Sequence, residues 1–420
     1  MNMKSTVRSS FIFLGLIGSF SIATSKDALL TTSALVDQAL TSNTELRFYE
    51  AEIVAAKGGR RTAAKLANPE LGMDLGRKRI KELGGPVEGD GLVYKAQIMQ
   101  TFDFPGRIAL RKAIADRDIA LAELGLAQYR SQLANEVRAR AGDVVLLRRK
   151  QSAAQSVRKR FEDLVAVLVQ RDTGSISAKL ERRILEASLL TSDRAVTDAS
   201  VAASEAVAAL NALCGRPPDG ALALDSETAS LPSTPTLVEL KQEAAKTNFE
   251  LQQKRLHLAR QGLKIDLTKS ERWGNITFGP YIGGERNYEK QIEGGFSLTI
   301  PLPLWNRNEG NIATEQARLS KAEATLAATL RDLERDLVTH RSAYQSEMEA
   351  LARWKPETEK EFQTAAEEAD QHYRLGAVPA STYVEMQRQY LEAMSALIET
   401  RRNAWKHRME LERLTGAPLK

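Results

Sequence analysis

The 420-residue sequence has a single cysteine, Cys214, so no disulfide can form within the chain. No segment offers the ~18 consecutive apolar residues that a transmembrane helix requires. Histidine is scarce: His257, His340, His372 and His407 are isolated from one another in sequence. With no H-E-x-x-H run and no paired-cysteine spacing, a zinc site has no sequence support. A block of one charge sign is also missing. The 59 Lys and Arg are interspersed with 54 Asp and Glu, as in Arg331-Asp332-Leu333-Glu334-Arg335-Asp336. That pattern is a solvated helix surface, not a nucleic-acid patch. Gly283-Gly284 and Gly294-Gly295 are followed by neither Lys-Ser/Thr nor a helix start, so they form no phosphate cradle. No catalytic constellation remains, which argues against an enzyme and against a bound cofactor.

What the sequence does contain is a repeat. Leu35–Gly215 and Leu237–Gly416 follow one pattern at an offset of about 200 residues. Each copy opens with a short amphipathic helix, at Leu35-Val36-Asp37 and Leu237-Val238-Glu239. A pair of strand-like segments follows, then a junction containing Pro105 and Arg107 in the first copy and Pro303 and Arg307 in the second. A long helical stretch is next, broken by a glycine turn at Arg171-Asp172-Thr173-Gly174 and at Arg374-Leu375-Gly376. Both copies close on Leu-x-x-Leu-x-Gly. The predicted organisation is a signal segment over 1–25, a first repeat over 26–215, a linker over 216–236 marked by Pro217, Pro218 and Pro232, and a second repeat over 237–420. The signal segment is expected from Lys4 and Arg8, the apolar run Phe11 to Ala23, and the small residues Ala23-Thr24-Ser25. Its removal near Lys26 would take the formal charge from +5 to +3. No cysteine stands at the expected new N-terminus to carry a lipid.

Helical periodicity dominates. Leu319, Ala322, Leu326, Leu333, Leu337, His340 and Tyr344 share one face, and Tyr383, Tyr390, Leu397, Ala404 and Leu411 keep a seven-residue step. Leu126, Leu133, Val137 and Val144 do the same in the first copy. A helix from Arg107 to about Arg171 would be a rod of roughly 95 Å, far longer than a globular core helix. Trp354-Lys355-Pro356 is expected to break the second rod.

The four strand candidates are Pro69–Ile80, Leu92–Phe102, Asn275–Gly284 and Gly294–Leu302. Phe296, Leu298, Ile300 and Leu302 alternate with Ser297 and Thr299; Leu92, Tyr94, Ala96 and Ile98 alternate with Lys95 and Gln97. One apolar and one polar face suits a membrane β-barrel, but a soluble sheet has the same period. A signal segment and rods of this length favour the membrane. Four strands cannot close a barrel in lipid, so the chain must then oligomerise.

The duplicated order of helix, strand pair, rod, glycine turn and returning helix resembles the TolC-type outer-membrane efflux proteins over nearly the whole mature chain. Asn68-Pro69-Glu70-Leu71 and the run Ile300-Pro301-Leu302-Pro303-Leu304-Trp305-Asn306-Arg307-Asn308-Glu309-Gly310-Asn311-Ile312 carry the likeness. The second of these is most like the cation-efflux, CzcC-type subgroup. The resemblance implies a mostly α, mixed α and β fold: a homotrimer with four membrane strands per chain closing a twelve-stranded barrel, above a long periplasmic α-helical barrel. It implies an exit channel in the bacterial outer membrane that passively conducts substrate, with heavy-metal cations the expected cargo. The implied partners are membrane lipid, a periplasmic membrane-fusion adaptor and an inner-membrane pump of the RND type. Gly174, Gly376, Arg171 and Arg374 would be the adaptor-contact tips. Glu385 would stand where relatives carry an acidic entrance ring, although a solvated carboxylate, or a pair with Arg183 across hairpins, is the simpler account. His340 is expected to be packed or at an interface, and His372 to lie on the surface. A channel for type I protein secretion and a soluble periplasmic coiled-coil scaffold are the competing readings.

Overall fold

The computed structural model describes residues 30–419 apart from 82, 171–175, 226–230, 234, 287–288 and 355–357. The expected signal segment, and Arg171, Asp172 and Gly174 of the first tip, lie outside the described residues.

Two short helices lead each half: α1 (Thr32–Ser42) and α2 (Leu46–Ala63), then α5 (Leu237–Thr247) and α6 (Phe249–Ser270). The single opening helix expected from sequence is therefore two. The first half continues through β1 (Glu70–Lys81), β2 (Val87–Phe102), α3 (Arg107–Gln170) and α4 (Ile176–Leu213). The second continues through β3 (Ile276–Arg286), β4 (Lys290–Thr299), α7 (Glu309–Arg353), α8 (Thr358–Arg374) and α9 (Ala380–Thr415). Strand β2 starts five residues before its expected bound and β4 four before its own, because both hairpins pair further toward their turns. The second rod ends at Arg353, where Trp354 turns extended (φ −81°, ψ 99°), and helix resumes at Thr358.

The helix entries are written locally. The Thr31 hydroxyl caps α1 by accepting from the Ala34 N–H, and Thr236 caps α5 in a reciprocal box with Glu239. The exits are locked in matching fashion: Ser42 donates to the Cys214 carbonyl (2.8 Å) and Thr247 to the Thr415 carbonyl (2.5 Å). One core gathers Leu35, Ala39, Val137, Val144 and Leu210 from α1, α3 and α4, with Cys214 just past the end of α4. Its counterpart gathers Leu240, Ala244, Leu337, Tyr344, Ala404 and Leu411 from α5, α7 and α9. A third core near the tips joins both halves through Val157, Phe161, Leu185, Tyr383 and Tyr390. The seven-step series Tyr383, Tyr390, Leu397, Ala404, Leu411 is buried at every member. The expected linker is not free chain throughout. Leu222 is buried in the first core, and Leu224 bridges Leu30 in a parallel pair.

The four strands form one antiparallel sheet in the order β1-β2-β3-β4. Its two outer strands, β1 and β4, each have one unpaired edge.

Candidate functional site: sheet faces, junctions and tips

The strand registers sort side chains onto two faces. One carries Leu71, Met73 and Leu75 of β1, Ile98 and Phe102 of β2, Phe278 and Ile282 of β3, and Ile292, Phe296 and Leu298 of β4. These are exposed; Leu75 and Phe296 are each 72% accessible. Water-exposed apolar area on this scale in a single sheet face marks a surface that meets lipid or another protein. The opposite face is polar. Lys78 bridges Glu285 at 2.7 Å, Lys95 lies over the Tyr281 ring at 4.8 Å, and Thr101 bonds Thr277 at 3.2 Å. Five successive rows, apolar except for Gln100 in the second, from Phe102–Ile276 to Leu75–Tyr94–Ile292, span ~27 Å along a strand and would reach ~21 Å of height at the ~40° tilt usual in membrane barrels, near their ~25 Å apolar band. No helix is long and apolar enough to cross a membrane among the described residues.

The two strand-to-helix junctions differ. At the first, Phe104-Pro105-Gly106-Arg107 closes a turn in which Arg107 N donates to the Phe104 carbonyl at 3.1 Å. Pro105 supplies the fixed φ of its second position, and Gly106 takes φ +87° at the third. The turn delivers Arg107 into the interior, where it is 7% exposed. Its guanidinium donates to the carbonyls of Ser270 (2.8 Å) and Trp273 (2.5 Å) and to Asn275 Oδ1. All three acceptors belong to the α6–β3 corner, so Arg107 staples the root of α3 to the other half of the chain. Phe104 stacks on Trp273 beside it, with ring centroids 6.0 Å apart. Pro303 sits in a tight turn closed by Leu304 N to the Leu302 carbonyl (2.9 Å). Arg307, expected to match Arg107, is exposed instead. The staple there is Asn308, at φ 62°, whose amide donates to the Thr268 carbonyl at 2.8 Å. Asn tolerates this left-handed backbone better than most residues. Its place directly before Glu309 was the one available hint.

At the second tip, Gly376 adopts φ +72° with open space where a Cβ would stand. Gly376 N donates to the Tyr373 carbonyl (2.9 Å) and Ala377 N to that of His372 (2.9 Å), which closes α8 in a Schellman turn. Arg374 is held by Asp370 at 2.7 Å. A cavity of about 570 Å³ opens beside this turn, lined by Leu164, Leu168, Glu181, Tyr373, Gly376 and Pro379. Below it Tyr383 stacks on Tyr373 at 5.3 Å and meets Phe161 edge-on at 5.6 Å.

Within the chain, Glu385 does not pair with Arg183. It accepts from Arg388 (2.8 Å) and Gln389 (2.8 Å) on its own helix, and Arg388 holds its carboxyl below the ordinary range. Arg183 bonds Glu186 at 3.2 Å. A three-residue step on each helix satisfied both charges locally. Sequence reasoning missed the polar network above it. Gln387 is fully buried, takes a bond from Arg160 of α3 (3.1 Å) and gives one to the Ala366 carbonyl of α8 (2.8 Å). The histidines are less isolated than their spacing suggested: His340 and His407 meet at 3.1 Å between Nδ1 atoms. Burial, and then the charge of His340, lower the pKa of His407. His372 is exposed. No group of three or more His, Cys, Asp or Glu could hold a metal among the described residues.

Residues 238–417 match the family described as outer membrane efflux protein. Over nearly the whole chain the fold is that of solved outer-membrane channels. It superposes on OprN with a TM-score of 0.72 at 17% identity, covering 92% of this chain and 90% of the other. On CusC the TM-score is 0.71 at 14% identity, covering 92% of each. The family match thus covers the second half of the chain, and the likeness in fold to outer-membrane channels extends over the first half as well. In sequence the chain is similar to the cobalt-zinc-cadmium resistance protein CzcC of Cupriavidus metallidurans, at 23% identity over 317 residues, 74% of this chain and 71% of that one.

Proposed function

We propose that the protein is the passive exit duct of a tripartite efflux system, delivering heavy-metal cations from an inner-membrane pump of the RND type to the outside. The single observation that carries this is the sheet: an exposed apolar face, a polar opposite face and two unpaired edges. In lipid each free edge leaves a row of backbone groups unsatisfied at several kcal/mol apiece, so the edges must pair with other copies. Three chains would supply twelve strands and close a barrel around the polar face. The two halves of the chain, 26–215 and 237–420, are on this reading copies of one unit that alternate around the wall. Likeness to CzcC favours metal cations as cargo over a secreted polypeptide.

The tips are the docking end for a membrane-fusion adaptor. Gly376 and Arg374, together with Gly174 and Arg171 of the first hairpin, form the contact, and the cavity beside Gly376 offers a seat with both polar and apolar walls. Glu385 is the candidate entrance ring. Because Arg388 already neutralises it, Arg388→Ala should raise cation preference in planar-bilayer recordings and Glu385→Ala should lower it. Unchanged selectivity in both variants would remove the ring.

Crosslinking of detergent-purified protein should stop at three chains, and the band should be heat-modifiable and fractionate with outer membranes. A stable monomer in the outer membrane would refute the barrel. Release of the protein by osmotic shock would favour a soluble scaffold instead. Loss of metal tolerance on deletion, with normal polypeptide secretion, separates the metal duct from a type I secretion channel.

A further inference from the structure

The exposed apolar face ends in charge. One step beyond the Leu75–Tyr94–Gly284–Ile292 row, the register places Arg77, Leu92, Arg286 and Lys290 side by side across all four strands. Arg79 and Asp90 follow in the next row on the same face. Three of the four residues in the first row are cations, and all four are exposed. Asp90 binds both Arg77 (2.6 Å) and Arg79 (3.2 Å), and Glu88 and Glu289 stand in the hairpin ends. Arg286 and Lys290, on the adjoining β3–β4 hairpin, face outward beside this pair.

The position of the row is informative. Both hairpin turns lie at the end of the sheet opposite the helices, since α2, α3, α6 and α7 all attach at the other end. With the helices in the periplasm, the row falls at the outer boundary of the bilayer, one residue pair above the last apolar row. A water-facing rim would gain nothing from three cations aimed sideways along the apolar surface. The phosphates of lipid headgroups are the anions found at that height and in that direction. Guanidinium groups bind phosphate in bidentate geometry, and ammonium groups bind it as point charges.

We propose that Arg77, Arg286 and Lys290 form a headgroup site for phosphate-bearing glycolipid of the outer leaflet. It rests on the barrel reading above. In a closed trimer the row occurs three times, and the site fixes the height of the barrel in the membrane by clamping the lipid that surrounds it. Asp90 takes the Nε and Nη2 donors of Arg77 (2.6 Å each) and one bond from Arg79, which fixes Arg77 with its Nη1 toward the site and leaves Arg286 and Lys290 as the main phosphate donors.

The test uses the full-length protein extracted from outer membranes into mild detergent, with bound lipid counted by native mass spectrometry. The probes are bisphosphorylated lipid A and the same lipid with its phosphates removed. Wild type should retain the phosphorylated form preferentially. The double variant Arg286→Gln, Lys290→Gln should lose about tenfold in retention, the scale of two weakened charge-assisted hydrogen bonds. Lys78→Gln, on the opposite face of the sheet, should retain lipid like wild type. Equal retention of both lipids by wild type, or wild-type retention by the double variant, would overturn the site. Fractionation of the same cells separates the two levels. A protein absent from the outer membrane fails the barrel reading, whereas one that is inserted but indifferent to phosphate fails only this inference.

Discussion

Gly142 lies in the middle of α3, where α9 crosses against it, and the reason for glycine is a single neighbour. A Cβ built there would stand 2.6 Å from Cε2 of Trp405 and closer still to its Nε1. Trp405 is 7% exposed and its indole N–H donates to the Ala139 carbonyl at 3.2 Å, so the ring cannot simply swing into solvent. Gly142→Ala must push the indole away or spread α3 from α9. Overpacking of this kind costs ~1–3 kcal/mol, and loss of the indole hydrogen bond adds ~1 kcal/mol. Against that, alanine is better than glycine inside a helix by ~1 kcal/mol. The net expectation is a loss of about 1–3 kcal/mol, read as a fall of several degrees in the thermal loss of 222-nm ellipticity in detergent. The assignment to Trp405 has its own check. In the background Trp405→Leu, the further change Gly142→Ala should cost much less, a coupling expected only of touching residues. Gly142→Ala protein as stable as wild type, or equal costs in both backgrounds, would refute the reasoning.

Arg107→Ala should destabilise the folded chain by ~3–5 kcal/mol, because the carbonyls of Ser270 and Trp273 lose a buried charged partner; chemical denaturation of the purified protein reads this, and Arg307→Ala should cost less than ~0.5 kcal/mol. The His340–His407 contact makes stability acid-sensitive: His407 has a folded pKa below its ordinary 6.5, so its contribution is full above that value and declines as pH falls toward the folded one. Melting temperatures at pH 7.5 and 5 should differ more for wild type than for His407→Gln. Gly376→Val should abolish export while leaving trimer and membrane level intact, since φ +72° strains a β-branched residue; Gly376→Ala, with open space around its Cβ, should be milder, and normal export by the valine variant would remove the tip assignment.

The long-range order was legible wherever one face of an element had a continuous destination. The seven-residue step of α9 and the alternation in β4 were visible because each side chain in the series is buried, or exposed, for the same reason. Helices α2 and α6 were missed for the opposite reason. Leu46 is the only buried residue of α2, Gly58-Gly59 sit inside it, and its packing on α3 rests on a stack between Tyr49 and Tyr129 at 4.7 Å. Such a helix leaves almost no apolar period. Arg107 stood out by its place after Pro105, but its acceptors lie 163 to 168 residues away, a distance no local pattern crosses. The His340–His407 and Arg160–Gln387 contacts required the rotational phase of two rods, which composition does not hold. Glu385 shows the converse: its partner Arg388 lies three residues off on its own helix, nearer than the repeat-equivalent Arg183.

The Arg107 staple sets a limit on how such a duct can open. A rod of 64 residues is ~96 Å long, so a rigid tilt of ~3° at its root would sweep its far end through ~5 Å. That leverage would magnify any small error at the sheet end of the rod. Hydrogen bonds from the buried Arg107 guanidinium to the Ser270 and Trp273 carbonyls, to Asn275 Oδ1 and to the Ser270 hydroxyl (3.4 Å) hold the fulcrum still. If the chain lines a duct as proposed, movement would be displaced down the rods to where α8 and α9 meet α3, and the aperture would work as an iris with a fixed collar.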